Sequence, residues 1–227
     1  MRRSFYGLIL LAALAGRLTT AHADLLGVNI ASEPLITFIN TSSTATRYDA
    51  ATDLFSVDAS PSTIKFTASE STLSVFSPRA LKIRAIVDDS GALVSGVTGS
   101  DLVISGVVGR VVGGFTNIYS GLLLEGEVTA FGAADSGTTV DNYDLRFVVT
   151  GGLLADFFNC DTLGVQVTSE GSTFTGSFAA NFQGRAKGNV GVEDRTPPTV
   201  TCPVAPIVVE CNAHTGGSDG AYVTYSV

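Results

Sequence analysis

Side chains that could take part in catalysis are scarce in this sequence of 227 residues. Nucleophilic catalysis through a serine or cysteine needs an imidazole within reach, and the chain has two histidines. His22 lies in a segment that we expect to be removed from the mature protein, and His214 lies in a polar loop at residues 212–216. The sequence therefore predicts a solvated His214 and no catalytic triad.

Two carboxylates, Glu125 and Glu127, have a spacing that glycoside hydrolysis could use. Two residues apart on a strand, they would project from the same face about 6.6 Å from each other along it. A solvated sheet face produces the same pattern, and the chain has no tryptophan to stack on a sugar ring. We therefore expect a solvated face here, and no enzyme active site in the chain.

Calcium is the metal ion that the acidic clusters favour, because aspartate and asparagine oxygens are among its usual ligands. The candidate ligands are Asp88 with Asp89, and Asp141 with Asn142 and Asp144. Neither cluster matches the EF-hand pattern, and turns that hydrogen-bond their own backbone use the same residue types. No cofactor is predicted, and calcium binding is a hypothesis for these residues alone.

The elements that must position these side chains are strands. Apolar and polar residues alternate over residues 80–87, 122–131, 143–150 and 173–182, which is the period of a strand with one buried face. We also expect strands at 102–108 and 164–168, a hairpin turn at 88–91 and one short helical piece at 153–159. Short strands separated by Gly, Ser and Asp turns predict an all-β fold, either a β-sandwich or a flattened barrel.

The alternation also assigns side chains to faces. Within residues 122–131 it places Leu124 and Phe131 on opposite faces of the strand. Within residues 173–182 it places Phe174 and Phe178 together on one face. These assignments predict which large side chains enter the core.

Residues 1–23 have the three parts of a cleaved signal peptide. Two arginines precede an apolar run at residues 7–15, and the small residues Ala21 and Ala23 predict cleavage before Asp24. The run is shorter than the ~20 residues of a membrane-spanning helix, so we expect no transmembrane span. The paired arginines also fit a twin-arginine signal, and with either export route the mature protein would be secreted or held at the cell surface.

Removal of this leader leaves 10 basic and 21 acidic residues, which lowers the formal net charge from −8 to −11. A phosphate backbone would repel such a chain, and its lysines and arginines form no cluster that could neutralise phosphates locally. We therefore expect no nucleic-acid partner. An extracellular protein or a glycan is the expected kind of partner.

The composition changes at residues 193–199, where two consecutive prolines favour an extended interdomain boundary. Residues 194–227 then begin with Asp-x-Thr-Pro-Pro, continue with Cys-Pro between short apolar strands, and end in an alternating Val-Thr-Tyr strand. The matching residues are Asp194, Thr196, Pro197, Pro198, Cys202, Pro203, residues 207–209, Cys211, Val223, Thr224 and Tyr225. In this order and spacing, the segment resembles the opening of a hyalin-repeat (HYR) domain.

The resemblance implies an immunoglobulin-like sandwich of the kind found in extracellular adhesion proteins, with no catalytic residues. Because only the opening of such a module is present, we expect the chain to end inside it. The predicted domains are a signal peptide at residues 1–23, a glycine-rich β domain at 24–193 and an incomplete HYR-like module at 194–227.

Three cysteines, Cys160, Cys202 and Cys211, would leave at least one thiol unpaired in an oxidising compartment. If the intervening residues are extended, Cys202 and Cys211 lie roughly 25–30 Å apart, whereas a disulfide needs less than ~7 Å between Cα atoms. A kink at the neighbouring prolines would instead bring the two together. The HYR resemblance implies that Cys202 pairs with a cysteine near the end of the module, and Cys160 is expected to be a buried or loop thiol.

These expectations together predict a non-enzymatic secreted or cell-surface protein with a role in adhesion, matrix formation or structural display. The alternative is a carbohydrate- or calcium-binding module that belongs to a larger exported enzyme. The two differ in what would follow residue 227, namely further modules or a catalytic domain.

Overall fold

The computed structural model describes residues 24–158 and 162–194. The regular structure of this part of the chain is eleven strands and one short 3-10 helix, so the predicted all-β class is confirmed. The strands are β1 Ile30–Asn40, β2 Thr46–Asp49, β3 Leu54–Lys65, β4 Leu73–Ser74, β5 Phe76–Val87, β6 Leu93–Ser95, β7 Leu102–Val112, β8 Phe115–Ala134, β9 Val140–Gly151, β10 Leu163–Glu170 and β11 Phe182–Glu193. The helix is Ala155–Phe158, between β9 and β10.

Eight strand positions close into one antiparallel barrel. Around the barrel the order is β1, β3, β5, β7, β8, β9, β10 and β11, and β11 pairs with β1 to complete the ring. Strand β2 continues β1, because both pair with β3 and with β11, and residues 41–45 interrupt what is otherwise one strand position. The short strands β4 and β6 add to β3 and β5 outside the ring.

Of the two predicted forms, the barrel is the one that the structure has. A sandwich would consist of two separate sheets, whereas here every strand belongs to one sheet. Strand β3 joins the two halves of the sheet, because its residues 54–59 pair with β5 and its residues 60–65 pair with β1. Closure pairs the strands of the wall on both sides and so removes the free edges that an open sheet would have.

The barrel interior is the hydrophobic core. In β5 the alternate side chains Leu81, Ile83, Ala85 and Val87 are completely buried, as the pattern of residues 80–87 predicts. Eight strands enclose a space that inward-pointing side chains fill. The interior is therefore packed with aliphatic and aromatic side chains.

The predicted faces of residues 122–131 are wrong. Leu124 and Phe131, expected on opposite faces, are both buried in the core, and so is Leu123. The register of β8 shifts around Leu123 against β7, and around Thr129 against β9. Each such bulge inserts one residue and reverses the alternation beyond it, which a strict two-residue period cannot express.

The strand predicted at residues 173–182 is also wrong, because residues 171–181 form a loop and only Phe182 belongs to a strand. Gly171 and Gly176 have positive φ angles of 60° and 76°, which break an extended chain. The loop inserts its phenylalanines into one end of the barrel. We call this cluster of seven buried rings the aromatic plug: Tyr48, Phe55, Phe131, Tyr143, Phe174, Phe178 and Phe182.

The predicted hairpin at 80–94 is confirmed, and of the predicted helical piece one 3-10 turn is present. Strand β6 returns alongside β5, with Val87 opposite Leu93. The helical piece expected at 153–159 is the 3-10 helix Ala155–Phe158, whose Phe158 is buried.

Residues 24–28, which follow the predicted cleavage site, are fixed to the outer wall of the barrel. The carboxylate of Asp144 accepts hydrogen bonds from the N–H groups of Leu26 at 2.8 Å and Val28 at 3.0 Å. Gly132 permits this close approach, since a Cβ there would lie 2.7 Å from the Leu26 nitrogen. Asp144 is thereby committed to a structural contact.

The chain divides after Asp194, and the described residues all belong to the first unit. The signal-peptide prediction with Ala21 and Ala23, and the HYR-like prediction at 195–227, lie outside the described residues. Among the residues that are described, no helix has the length and apolar character to cross a membrane.

Candidate functional site

The first candidate calcium cluster is a tight turn that uses its own carboxylate. Oδ1 of Asp88 accepts hydrogen bonds from the Ser90 hydroxyl at 2.6 Å, the Ser90 N–H at 2.9 Å and the Ala92 N–H at 3.0 Å. These bonds, the hydroxyl of Ser90 first among them, hold the pKa of Asp88 below its usual value. The structure thus gives Asp88 a role in stabilising the β5–β6 hairpin turn.

The second candidate cluster lies on strand β9, where alternation separates its side chains. Asp141 is completely buried, whereas Asn142 and Asp144 occupy alternate positions on the outer wall. There Asn142 accepts a hydrogen bond from the Thr168 hydroxyl at 3.1 Å, and Asp144 is covered by residues 24–28, which it holds. Because successive side chains of a strand leave on opposite faces, these three do not converge on one point.

The paired glutamates lie close to a third carboxylate. Glu125 accepts a hydrogen bond from the Ser100 hydroxyl at 2.8 Å, and the buried Asp101 accepts backbone N–H groups at 2.6 and 2.9 Å. Loss of hydration, followed by the adjacent Asp101 carboxylate, raises the pKa of Glu127. Within residues 24–158 and 162–194, no group of three His, Cys, Asp or Glu side chains is arranged to hold a metal ion.

The remaining residues of chemical interest lie outside the described part of the chain. Cys160 falls in the gap at 159–161, and Cys202, Cys211 and His214 follow Asp194. Their pairing and surroundings therefore stay predictions from the sequence.

Two clefts open beside the aromatic plug, with volumes of about 370 and 390 Å³. The first is lined by Arg47, Asn181 and Gln183 together with Tyr48 and Phe182. Both of these rings are turned into the plug, and they are 0% and 3% exposed. A sugar-binding groove commonly offers an exposed ring for stacking, and this cleft does not present one.

At the plug end, three buried polar atoms of the described chain have no hydrogen-bond partner: Asp141 Oδ2, Tyr143 Oη and Ser169 Oγ. Asp141 and Ser169 stand directly opposite each other on β9 and β10. Burial and then the Asp141 carboxylate raise the pKa of Tyr143. Buried polar groups of this kind are commonly bridged by ordered water, and they cost stability where they are not.

Tyr48 and Tyr143 offer a matched test of that cost. The hydroxyl of Tyr48 donates to the Val87 carbonyl at 2.8 Å, so Tyr48→Phe should lower the free energy of unfolding by about 1–3 kcal/mol. The hydroxyl of Tyr143 lies near the Ser172 side chain but makes no hydrogen bond of standard geometry, so in Tyr143→Phe stability should be unchanged or higher. Urea denaturation of both variants measures the difference; equal losses would mean that the Tyr143 hydroxyl is bonded, either to Ser172 or to an enclosed water.

The most distinctive surface feature is a hairpin arm, which we define as residues 108–121. Here β7 and β8 continue beyond their pairing with β5 and β9 and pair only with each other. Gly113 and Gly114 form a two-residue turn with φ angles of 59° and 85°. Four large apolar side chains on the arm are exposed: Val111 by 63%, Val112 by 47%, Phe115 by 77% and Ile118 by 64%.

The middle of the arm is packed against neighbouring side chains, where Arg110 pairs with Asn117 across the hairpin. The guanidinium of Arg110 lies 4.3 Å from the ring centre of Phe66 and 4.9 Å from that of Phe157. It also makes a two-pronged ion pair with Glu70, with distances of 2.7 and 3.2 Å. The charge of Arg110 is thus paired with that of Glu70, and these contacts hold the middle of the arm against Phe66 and Phe157.

The arm is the candidate functional surface that the sequence-based expectations missed. They placed strands at 102–108 and 122–131 and assigned no element to the residues between. The available signal was Gly113-Gly114 between two apolar runs, which is a favoured composition for a two-residue hairpin turn.

Comparison of the chain with protein-family models, with curated proteins and with solved structures found no match.

Proposed function

We propose that this chain is an exported, non-enzymatic protein of the cell surface or extracellular matrix, and that it makes contact through the hairpin arm. One observation carries the proposal: four large apolar side chains stand exposed on residues 111–118, within a stretch from 111 to 124 that has no charged residue. Strand alternation puts Val112 and Phe115 on one face of the arm and Val111 and Ile118 on the other, so both faces present apolar side chains to water. Exposed apolar surface of this kind commonly marks an interaction site. The predicted leader supplies the location outside the cytoplasm.

The barrel suits the role of a rigid support for the arm. Its interior is occupied by core side chains and one end is closed by the aromatic plug. At the other end, Arg110 packs the middle of the arm against Phe66 and Phe157. The HYR-like opening at residues 194–227, which we retain as a proposal from its sequence, would be suited to the same extracellular setting.

Attachment of beads can test this proposal. The full exported chain would be coupled to latex beads, and retention measured on glass coated with alkyl chains, with a glycan mixture, or with the chain itself. We expect retention on at least one of these coatings, and a loss of about tenfold or more in the double variant Val111→Ser, Phe115→Ser, because two exposed apolar side chains would no longer be buried on contact.

The matched control replaces two exposed valines on strands away from the arm. Val94 is 61% exposed and Val148 is 46% exposed, so Val94→Ser with Val148→Ser likewise replaces two exposed apolar side chains with serine, but elsewhere on the protein. The control beads should be retained like the unaltered ones. Equal retention of both double variants, or none above that of albumin-coated beads, would overturn the role of the arm.

A further inference from the structure

We infer that the hairpin arm pairs edge to edge with the arm of a second copy of this chain, through strand β8. This names the partner of the contact surface and rests on the proposed function. The arm has two edges, and they differ. The β7 edge is flanked by residues of the 70–73 segment, which form a cleft with Arg110 and Val111, whereas residues 115–121 of β8 pair on one side only within the described chain.

The backbone groups of the free edge can be identified from the hairpin register. Val112 and Phe115 flank the two-residue turn, so this pair exchanges hydrogen bonds between the strands, and every second pair along the arm does the same. The N–H and C=O groups of Thr116, Ile118 and Ser120 therefore point away from β7. The same alternation explains why the next outward carbonyl, that of Leu122, accepts the Leu153 N–H at 3.1 Å.

This edge is complementary to itself. If two copies pair antiparallel about a two-fold axis at Ile118, then Ile118 faces Ile118, and Thr116 faces Ser120 on both sides of the axis. All three outward N–H groups and all three outward carbonyls of each strand would find partners. On the other face, Phe115 would lie opposite Gly121, which has no side chain and has open space where a Cβ would be. Thr–Ser and apolar pairs are favourable across antiparallel strands.

Charge favours the same contact. The whole chain has a net charge of −8, so two copies repel each other over most of their surfaces. Residues 111–124 have no charge; of the two charged residues that flank them, Arg110 is neutralised by Glu70, and Glu125 lies beyond the arm. Exposed strand edges are commonly protected from pairing by lysine, proline or a covering segment, and the described residues provide none of these at 115–120.

The small size of the contact sets its expected strength. Stable complexes bury roughly 800 Å² on each partner, more than the edge of one short strand can supply, and smaller contacts are typical of transient complexes. We therefore expect a reversible dimer at high concentration, or firm attachment where many copies are held side by side on a surface.

Sedimentation velocity of the full exported chain, from about 10 μM to about 1 mM, should show a shift from monomer towards dimer, the range of a weak complex. Ile118→Lys would place two like charges opposite each other and should raise the dissociation constant at least about tenfold. Ile118→Val should leave it nearly unchanged, and so should Val94→Lys, which adds the same charge at a side chain of similar exposure on β6.

Cysteine variants test the register directly. Residues that face each other in a bonded antiparallel pair have Cα atoms about 5.5 Å apart, within the range of a disulfide. Ile118→Cys should therefore form a cross-linked dimer on mild oxidation, above the background of the unaltered chain. Thr116→Cys should not, because the axis places the two 116 positions four residues out of register, about 13 Å apart along the strand.

The two proposals fail in different ways. If the chain sediments as a monomer throughout and Ile118→Cys cross-links no more than Thr116→Cys, self-pairing is overturned. If in that case the Val111→Ser, Phe115→Ser beads still lose retention, the arm contacts another kind of molecule and the proposed function stands. If, in addition, beads with the arm variant and beads with the control variant are retained equally, both proposals are overturned.

Discussion

Replacing Phe182 with alanine should lower the free energy of unfolding by about 3–5 kcal/mol, a large part of the ~5–15 kcal/mol that holds a typical domain folded. Phe182 is 3% exposed and stands at the centre of the aromatic plug. Its ring centre lies 4.6 Å from Phe174, 5.2 Å from Tyr48, 5.4 Å from Phe178 and 5.9 Å from Tyr143. The alanine would remove all these contacts and leave a cavity that the closed wall cannot fill.

The same change on the arm provides the control. Phe115 is 77% exposed, so Phe115→Ala should alter stability by no more than about 0.5 kcal/mol. Urea denaturation measures both variants, and near-ultraviolet circular dichroism reports the plug, since it detects rings held in fixed surroundings. A loss at Phe182 of less than about 1 kcal/mol would mean that the plug is loosely packed.

The secondary structure was predictable where one strand runs straight between two neighbours. Residues 80–87 alternate without interruption, and β5 buries the side chains that this pattern selects. The failures occur where the chain departs from the two-residue period. Strand β8 contains bulges around Leu123 and Thr129, and each reverses the faces beyond it. Which residue bulges depends on the partner strands, and one segment read alone does not contain that information.

Closure of the barrel was beyond what the sequence could decide. The alternation of each strand is the same in a sandwich and in a barrel, since both bury one face. The decision is made by pairings between distant segments, such as that of Ile36 with Val190. The loop at 171–181 was misjudged for a related reason: Phe174 and Phe178 are buried at the barrel end, a position that no local period describes.

The candidate site, too, was predictable only where local sequence decides the structure. The calcium hypothesis needs Asp141, Asn142 and Asp144 to converge, but β9 begins at Val140 and places Asp141 towards the barrel interior and Asp144 on the outer wall, beneath residues 24–28. The arm was missed because the feature that distinguishes it is the lack of a neighbouring strand beside residues 115–121 of β8. Ile118 and Phe115 would be ordinary strand residues if β9 continued alongside them, and only the pairing register reveals that it does not.

The second large effect should come from Gly188 on β11, at the seam where the barrel closes. Gly188 pairs with Phe38 of β1 on one side and with Val167 of β10 on the other, so it lies where β11 pairs with β1 to close the ring. A Cβ at this position would lie 2.0 Å from the Gln166 carbonyl oxygen and 2.6 Å from the Phe38 ring. Gly188→Ala should therefore cost about 3 kcal/mol or more, at or above the upper end of the usual overpacking range, because backbone must move as well as a side chain.

Gly109→Ala separates crowding from the general cost of changing a strand glycine. On the arm, a Cβ at Gly109 would meet the Ile118 side chain at 3.4 Å, an ordinary contact, so stability should be unchanged or slightly higher. Denaturation of the two variants measures the contrast, and hydrogen exchange locates it: protection should fall along β1, β10 and β11 in Gly188→Ala. If instead the seam keeps its protection, β10 and Phe38 can give way without opening the ring, and closure does not depend on the absence of a side chain at this position.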